Sequence, residues 1–520
     1  MITRRLFLSG SALAPLLARP VALFAMTALL QPAGRLTTRS FGARHDDATD
    51  DTAALEAALR QAVENRQVLT WSNGIARVSR PVRVPDGARV VAESATSGIR
   101  NVSRRINNLR APLLLGNWHP AYLGFRALGV RGAAAWRNPK ADLHPTRAGV
   151  TAAATSVRLS RAADAALFRP GQVYPLLTAG MTLQESTHIQ MRVSREQSLL
   201  RVSRVDPTSG TITFETPIGF DSAEPLHLVR IRDGALDDHG LPIGIAQDIR
   251  IDGLKVYGFN AFGNNCAAMY NCRLTNFGGE VVTPVMANAL VRTVIDGYRG
   301  RFSGSRLIEV KYGHHDGTIR NFVAEHVGSG SGRGQDHDGM FSVGEYCRDL
   351  LVENFEVNAP NWRGGHLFQI QPGRNCVFRN GKVHAPAALL NAVWFYGDPL
   401  RSAEGCGLEG VEVTHGSDAH VVFAAGPHEA RRCFVRGCTF VSRSRRPLAA
   451  VVFLGGQENR VIDNDFDSGG VIFSGPTARD NVVESNRFAT PVVEGAFKAQ
   501  NRVGTNHARS PAGQLVPFTA

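Results

Sequence analysis

Short strands separated by tight turns recur along the second half of the chain. Each strand alternates apolar and polar residues and ends in a polar residue followed by a small or apolar one, and this pair returns every 19 to 33 residues. Such a period is typical of solenoids, in which each repeat forms one coil. The pairs begin at Asp252, Asn271, Asp296, Asn321, Asn354, Asn380, Glu409, Arg436, Asp463 and Ser485.

A second periodic feature is a large apolar residue about a dozen positions before each turn. Large side chains that point inward and stack on one another fill the core of a solenoid. Together the two patterns predict an all-β fold, a right-handed parallel β-helix of about ten or more coils. The inward positions are Ile308, Phe341, Phe368, Phe395, Phe423, Phe453 and Phe473.

Polar and aromatic residues flank the inward positions on four neighbouring coils. Because side chains alternate along a strand, the neighbours of an inward residue, and the residues three positions away, face outward. These outward positions are mostly apolar on the next three coils, so the sequence predicts a polar stripe about 15 Å wide, on the scale of a sugar ligand. The stripe contains Glu309, Lys311, Asp338, Ser342, Gln369, Gln371, Trp394, Tyr396 and Asp398.

The N-terminal part of the chain carries another signature. Phe41-Gly42-Ala43 precedes an Asp-rich turn and an apolar periodicity that predicts a helix from Thr52 to about Asn65, capped by Asp50 or Asp51. This segment resembles the N-terminal cap of the pectate-lyase-like superfamily, which includes lyases, polygalacturonase-like hydrolases, epimerases and tailspikes. The resemblance covers about residues 37–95 and implies a parallel β-helix plugged by a short helix. It indicates fold more than function, because many activities share this start.

These patterns divide the chain into five segments. The region before the clear repeats has Arg-rich, Asn-rich and Ala-rich loops and then alternating strands around a turn at 206–210, which predicts a small β subdomain inserted into the early coils. The segments are a signal peptide at 1–34, the N-terminal cap and first coils at 35–100, the insertion at 101–235, the main coils at 236–490 and an irregular C-terminal cap at 491–520.

The first residues predict the compartment. The pair Arg4 and Arg5 precedes an apolar stretch that Pro15, Arg19 and Pro20 interrupt, which is typical of a bacterial twin-arginine export signal. The interrupted stretch is a poor membrane span. We therefore expect a periplasmic or secreted protein without stable membrane insertion.

Composition adds constraints on turns, thiols and partners. The 53 glycines and 26 prolines suit many tight turns, and the seven cysteines lie in the strand repeats without zinc-ligand spacing, which predicts mostly free, buried thiols. The formal net charge of +13 favours a polyanionic partner. Because no nucleic-acid-reading motif occurs and an export signal does, we expect an acidic polysaccharide and no nucleic acid.

Glycine-rich loops beside the stripe hold side chains suited to catalysis. Segments 311–317, 328–339 and 361–366 combine glycine with His, Asp, Arg and Trp, and nine of the 16 histidines fall between His314 and His428. Such loops usually carry function. A lyase acting on a uronic-acid polysaccharide must neutralise the carboxylate beside C5, remove the C5 proton and protonate the leaving oxygen.

This inventory predicts β-elimination of an acidic polysaccharide. Asp336 and Asp338 could orient a histidine or hold a calcium ion. Calcium is the cofactor that this chemistry could use, but the sequence does not assign its ligands. The predicted catalytic residues are Asp338, His337, His366, Asp336, Lys311 and His315. The predicted substrate-binding residues are Arg333, Arg363, Trp362, Gln369, Trp394, Tyr396, Glu309 and Asp398.

Three other functions can use the same residues. The order of Asp316-Gly317, Asp336-His337-Asp338-Gly339 and Gly364-Gly365-His366 is similar to that in polygalacturonases, two-carboxylate hydrolases whose Asn-Thr-Asp, Asp-Asp, Gly-His-Gly and Arg-Ile-Lys motifs are missing here. The triplet Asp336-His337-Asp338 is similar to the Asp-Pro-His motif of alginate C5-epimerases. A non-catalytic polysaccharide-binding scaffold would use Trp394 and Tyr396 for stacking. A homotrimer, as in tailspikes, is an assembly that this fold allows.

Overall fold

The chain winds into a right-handed parallel β-helix, as the repeat pattern predicts. In the computed structural model the described residues are 36–103, 110–118, 140–178, 197–237, 239–261, 267–310, 316–328, 339–344, 347–388, 390–397, 402–426, 428–444, 449–510 and 513–519. No helix among them has the length and apolar character needed to cross a membrane. The predicted signal peptide lies outside these residues.

Two faces of the β-helix belong to one 25-stranded sheet. Strands of the first face are Leu69–Trp71, Arg89–Ala92, Arg250–Asp252, Arg273–Thr275, Val294–Asp296, Gly407–Glu409, Phe434–Arg436, Arg460–Ile462, Val482–Glu484 and Arg502–Val503. Strands of the second face are Asp46–Asp50, Ile75–Val78, Gly98–Asn101, Lys255–Asn260, Gly278–Thr283, Arg299–Phe302, Glu412–His415, Thr439–Ser442, Asp465–Phe466, Arg487–Phe488, Asn506–Arg509 and Leu515–Phe518. Three longer strands continue across both faces, namely Thr318–His326, Leu351–Asn358 and Val377–Ala385.

The third face is a nine-stranded parallel sheet, which carries the predicted stripe. Its strands are Val285–Ala287, Ile308–Val310, Gly339–Val343, His366–Ile370, Asn391–Phe395, Ala419–Phe423, Ala449–Phe453, Val471–Phe473 and Val493–Glu494. Smaller parallel sheets continue the coils, with strands Ala246–Gln247, Ala268–Tyr270 and Ala289–Val291 in one, Cys347–Arg348 and Gly373–Arg374 in another, and Val82–Arg83 and Leu113–Leu114 in a third.

Each coil bends twice through a residue with left-handed backbone geometry. Asn, Asp and Gly tolerate positive φ better than other residues, and they hold most of these positions. The first bend column contains Asp248, Asn271, Arg292, Asp316, Asp349, Asn375, Gly405, Arg432, Glu458 and Asp480. The second column follows five residues later in every coil and contains Gly253, Asn276, Gly297, Asn321, Asn354, Asn380, Gly410, Gly437, Asp463 and Ser485.

The two bend columns correct one position of the sequence repeat. The series of turn pairs follows the second column, but its member Asn271 lies in the first column, and the matching residue of that coil is Asn276. Both residues are asparagines with a φ of 52°. Sequence alone did not separate them because both bends select the same residue types.

The inward aromatic residues form two columns on the nine-stranded sheet, not one. Phe341 pairs with Phe368, and their rings stack at 4.8 Å. In the next coil Phe368 lies beside Val393, so Phe395 stands two residues further along, beside Ile370. Phe395 begins a second stack with Phe423, Phe453 and Phe473 at ring distances of 4.7 to 4.9 Å. Every member is buried, so the packing role predicted for these phenylalanines is confirmed.

Inward asparagine side chains just after the bends accept hydrogen bonds from the backbone N–H groups of the preceding coil. Asn459 and Asn481 illustrate the asparagine ladder of the last coils, in which the Asn459 backbone N–H donates to Asn481 Oδ1 at 2.9 Å. Cys433 precedes them in the same column, and its N–H donates to Asn459 Oδ1 at 2.9 Å. The described cysteines are free and buried, as predicted, while Cys266 lies outside the described residues. They are Cys272, Cys347, Cys376, Cys406, Cys433 and Cys438.

A short α-helix closes the N-terminal end, as the cap signature predicts. It spans Thr52–Glu64 and buries Leu55, Ala58, Leu59 and Ala62 against the first coils. Asp50 Oδ1 accepts the Thr52 N–H at 3.0 Å, which satisfies one free donor of the first turn. Short 3₁₀ turns occur at Arg39–Phe41, Ala162–Leu167 and Lys498–Gln500.

A six-stranded antiparallel sheet, hereafter the insert, packs beside the small parallel sheets. Its strands are Ala141–Pro145, Ser156–Arg158, Val173–Thr178, Gln197–Asp206, Thr211–Phe214 and Leu226–Ile231. The buried guanidinium of Arg348, on the β-helix, donates to Ser198 Oγ at 2.6 Å and to the Ile218 and Gly219 carbonyls at 3.0 and 2.7 Å. These bonds, with a shared apolar cluster, join the insert to the coils.

Replacing a residue in the middle of an aromatic stack should destabilise the coils. Phe423 is fully buried between Phe395 and Phe453, so Phe423→Ala removes contacts on both ring faces. We expect a loss of about 3–5 kcal/mol in the free energy of unfolding, measured by denaturant titration. Leu454→Ala, at a side chain 39% exposed, should change this free energy by less than about 0.5 kcal/mol. Equal losses in both variants would contradict the assigned stack.

Two core histidines form a neutral hydrogen-bonded chain. The Ser417 backbone N–H donates to His415 Nδ1 at 3.1 Å, so His415 Nε2 carries the proton and donates to His420 Nδ1 at 2.6 Å. His420 Nε2 then donates to Ser468 Oγ at 2.9 Å. Burial lowers the pKa of His415 to about 4, and burial and the neighbouring His415 lower the pKa of His420.

The histidine chain should make stability fall in mild acid. The unfolded chain takes up a proton at His415 below about pH 6.5, whereas the folded state resists this until about pH 4. We expect the free energy of unfolding to decrease by about 3 kcal/mol as pH falls through this window, and this part of the slope to vanish in His415→Gln. His384→Gln, at an exposed position, is the matched control. An unchanged slope in His415→Gln would disprove the coupling.

Candidate functional site

The predicted stripe exists as a register column on the outer side of the nine-stranded sheet. Glu309 lies beside Ser342, Ser342 beside Gln369, and Gln369 beside Trp394 on four adjacent strands. The next three positions of the column are Val422, Val452 and Ile472. The change from polar to apolar residues within one column marks out four coils, as the sequence pattern predicts. We call this column, with Gln371 and Tyr396 two residues further along their strands, the outer stripe.

The polar residues of the outer stripe are recessed. Glu309, Gln369 and Gln371 are each 6% exposed, and Ser342 is 1% exposed. Buried polar groups require hydrogen bonds, and Ser342 Oγ donates to Gln369 Oε1 at 3.2 Å while Arg306 forms a salt bridge with Glu309. The partly buried Arg306–Glu309 pair places a carboxylate at one end of the outer stripe.

Three aromatic rings stack at the other end of the outer stripe. The His366 ring lies 4.3 Å from the Trp394 ring, and Trp394 lies 4.3 Å from Tyr396, with interplanar angles of 21° and 20°. His366 stands beside Asn391, which is before Trp394 along the strand, whereas Tyr396 comes after it. Both rings therefore stack on the indole, and Trp394 links His366 to Tyr396.

His366 is held in place on two sides. Trp394 stacks on its ring, and its Nδ1 lies 3.5 Å from the Asn391 side-chain nitrogen. The histidine is 2% exposed. A fixed imidazole beside recessed polar groups has the chemistry of a general base or acid.

Two glycines leave space for the glutamines of the outer stripe. A Cβ on Gly339 would lie 2.4 Å from Gln369 Cβ, and a Cβ on Gly344 would lie 2.1 Å from Gln371 Cβ. Within the described part of the chain, the buried Gln371 Oε1 accepts no hydrogen bond. An unsatisfied buried oxygen costs about 1–3 kcal/mol, and such atoms call for a functional explanation.

The other predicted site residues lie in different environments or outside the described residues. Trp362 is fully buried, and its indole N–H donates to the Ser305 carbonyl at 2.9 Å, so it packs under the coils and offers no surface to a sugar. Arg363 is exposed in the loop before the His366 strand. The predicted residues that lie outside the described residues are Lys311, His315, Arg333, Asp336, His337, Asp338 and Asp398. Their roles stay predictions.

Sequence reasoning did not select Arg306 and Asn391. Each stands three residues before a member of the stripe column, Glu309 and Trp394, as His366 stands three before Gln369. The regular alternation of inward and outward side chains is interrupted here, since the consecutive residues Leu367 and Phe368 are both buried in the core. The signal that could have identified Arg306 and Asn391 was therefore a position three residues before a member of the outward column. In the sequence, three residues were counted from the inward positions instead.

The histidine-rich region divides between core and surface. His415 and His420 lie in the core, where His420 packs near Phe440 and Phe466, and His326 is buried beside Phe302. Of the described histidines between 314 and 428, His366 is the one that contacts the outer stripe. The count of nine histidines thus overstated the number available for catalysis.

Metal binding finds no support within the described residues. No group of three His, Cys, Asp or Glu side chains there is close enough together to hold an ion. The carboxylates considered for calcium, Asp336 and Asp338, lie outside that part of the chain.

Comparison with solved structures places this chain among parallel β-helix proteins. The tailspike gp61 of Pseudomonas phage phi297 matches with a TM-score of 0.50 and 11% sequence identity, over 92% of this chain and 85% of that one. The gp54 tailspike of Acinetobacter baumannii bacteriophage AP22, solved with an A. baumannii capsular saccharide, matches with a TM-score of 0.47 and 10% identity, over 91% and 80%. At these identities the likeness concerns the fold alone.

Comparison at the level of sequence gives a shorter match. No family model matches the chain. A glucan 1,3-beta-glucosidase of Cochliobolus carbonum is 40% identical over 58 residues, which is 11% of this chain. The chain spans 7% of the length of that protein.

A methyl group on Gly344 should disturb the outer stripe. Gly344→Ala places a Cβ against the Gln371 side chain, so the glutamine or the strand must move. We expect the free energy of unfolding to fall by about 1–3 kcal/mol. The control is Gly426→Ala, where the nearest atom to the new Cβ, the Gly397 carbonyl oxygen, is 3.8 Å away. Equal stability of the two variants would contradict the close packing of Gln371.

Proposed function

We propose that this chain is an exported carbohydrate-active enzyme that binds an acidic polysaccharide along the outer stripe and cleaves it by β-elimination. The register column Glu309–Ser342–Gln369–Trp394 carries this proposal. Polar side chains occupy it on three adjacent coils and an indole on the fourth, and the same column then becomes apolar. A row about 15 Å long of recessed polar groups ending in an aromatic ring suits several sugar units.

The aromatic end of the outer stripe offers two kinds of contact to a sugar chain. Tyr396 is an aromatic ring of the kind on which the C–H groups of a sugar stack. Gln371 Oε1 is enclosed and lacks a hydrogen-bond donor among the described residues, so a sugar hydroxyl can donate to it only where the neighbouring side chains move. The 58-residue likeness to a glucan 1,3-beta-glucosidase agrees with a carbohydrate ligand.

The net charge favours a uronate over a neutral sugar. The whole chain carries a formal charge of +13, which attracts a polyanion over several ångströms at moderate salt. Arg363 lies exposed in the loop that leads to His366, and a guanidinium is the group that suits a substrate carboxylate. Neutralising that carboxylate lowers the cost of removing the proton beside it.

In the proposed reaction His366 acts as the base. Its imidazole takes the C5 proton, the C–H electron pair forms a double bond between C4 and C5, and the bond from C4 to the glycosidic oxygen breaks. That oxygen takes up a proton from the His366 imidazolium, directly or through water, so the products are a new chain end and an unsaturated uronate, and His366 returns to its neutral form. Trp394 stacks on the imidazole and the Asn391 amide lies beside Nδ1. For Nε2 to act as the base, Nδ1 carries the proton and the amide turns its oxygen to accept it.

An absorbance assay on the purified protein tests this proposal. The substrates are alginate, polygalacturonate, glucuronan and a neutral β-glucan, each with added calcium or with EDTA. We expect ultraviolet absorbance from unsaturated uronate on at least one acidic polymer and none on the neutral one. In His366→Ala the rate should fall by about 10²–10⁴-fold. Tyr396→Ala should raise KM by about threefold to tenfold.

The matched control is His384→Ala, because His384 is exposed on the second face, away from the outer stripe. Its rate should equal that of the unchanged protein. New reducing ends without ultraviolet absorbance would replace elimination by hydrolysis, with Glu309 as the described carboxylate to test. Full activity of His366→Ala would remove His366 from the reaction.

A further inference from the structure

A polar cavity of about 370 Å³ lies where the insert meets the first coils, separate from the outer stripe. Its volume falls within the range of about 300–1,000 Å³ that is usual for small-molecule sites. The β-helix contributes Arg83, from the strand Val82–Arg83, and the backbone from Ile243 to Gln247. The insert contributes Arg169 and Arg230, together with Arg232 just after its last strand.

Arginines outnumber acids in the lining of this cavity. Four guanidinium groups face two carboxylates, those of Asp86 and Asp233. The carboxylate of Asp86 is already engaged as an acceptor, because its Oδ1 receives the Gln247 backbone N–H at 3.0 Å. With Asp142, which lies outside the lining and binds Arg232, three carboxylates face four guanidinium groups, so one positive charge remains.

The four arginines fall into two kinds. Arg230 and Arg232 are held by carboxylates, since Arg230 donates to Asp233 at 3.2 Å and Arg232 donates through two nitrogens to Asp142 Oδ1 at 2.9 and 2.8 Å. Neither Arg83 nor Arg169 forms a salt bridge among the described residues, although the charge of Arg83 acts on the nearby Asp86, and both arginines are exposed at the cavity. One of these two comes from the β-helix and the other from the insert.

Neutral hydrogen-bonding groups complete the lining. The side chains of Gln172 and Gln247 lie 3.4 Å apart across the two parts of the protein, and Tyr174 stands beside them. Amides and a phenol suit hydroxyl groups, while arginines suit oxyanions. A ligand that satisfies both carries hydroxyls and a carboxylate, sulfate or phosphate.

We propose that this cavity is a second binding site, in which Arg83 and Arg169 together bind the oxyanion of an acidic saccharide. The ligand bridges the β-helix and the insert, so binding also stabilises their contact by mass action. This site is independent of the outer stripe and requires no catalysis. An acidic polymer held here is anchored away from the bonds that the outer stripe acts on.

Titration calorimetry with short ligands tests the cavity. The probes are trigalacturonate, inorganic phosphate and the neutral trisaccharide cellotriose, and the protein is the full chain with Tyr396→Ala to weaken binding at the outer stripe. In this background, adding Arg83→Gln and Arg169→Gln should raise the Kd for trigalacturonate by about tenfold or more, as expected for the loss of two charge-assisted contacts. Thermal unfolding should show that trigalacturonate raises the Tm of the background and not of the double arginine variant.

The control is Arg161→Gln, at an insert arginine whose side chain is 80% exposed outside the cavity. Its Kd should match that of the background. Competition between phosphate and trigalacturonate would support the shared oxyanion contact, whereas binding of phosphate without binding of trigalacturonate would overturn the saccharide assignment. Equal affinity for cellotriose, or an unchanged Kd in the double arginine variant, would overturn the site. An inactive outer stripe would leave these measurements unaffected.

Discussion

Hydrogen bonding between successive coils is the constraint on which the rest of the structure depends. Each parallel strand pairs with the strand one coil before and one coil after, so a residue has a fixed neighbour in the next coil. The left-handed bends keep this register, because they turn the chain at the same two places in every coil. Position in the coil therefore decides whether a side chain enters the core or faces solvent.

The core and the outer stripe are two results of the same register. Phe423 stacks on Phe453 because the strands align them, and Glu309 lies in one row with Trp394 for the same reason. A solenoid thus builds a linear site without any single loop having to define it. The insert adds a concave site to the β-helix, because the cavity lies where the insert packs against the coils.

The sequence was informative where one residue type has one physical role. Positive φ selects Asn, Asp and Gly, so the turns were visible, and the apolar periodicity of Thr52–Glu64 was visible as a helix. The outward polar column was predicted because strand alternation follows from backbone geometry alone. The prediction failed where two places share a preference. Asn271 and Asn276 both suit a bend, and Phe368 and Phe395 both suit the core although they lie two residues apart in register.

Side-chain chemistry was harder to predict than backbone form. A histidine can be a base, a surface group or part of the core, and the sequence around His420 did not reveal that its ring packs near Phe440 and Phe466. Likewise the sequence around Trp394 did not reveal that His366 and Tyr396 stack on its ring. Long-range packing decides these roles, and it depends on residues distant in sequence.

The constant spacing of five residues between the two bends limits how this molecule can change during evolution. Adding a whole coil preserves every alignment beyond it, and such a duplication within 308–396 would lengthen the row of polar side chains by one strand spacing. A single residue inserted between the bends would instead reverse the inward and outward sides of that strand. Gene changes that copy complete repeats should thus be tolerated, and frame-preserving changes of one codon in this short strand should be selected against.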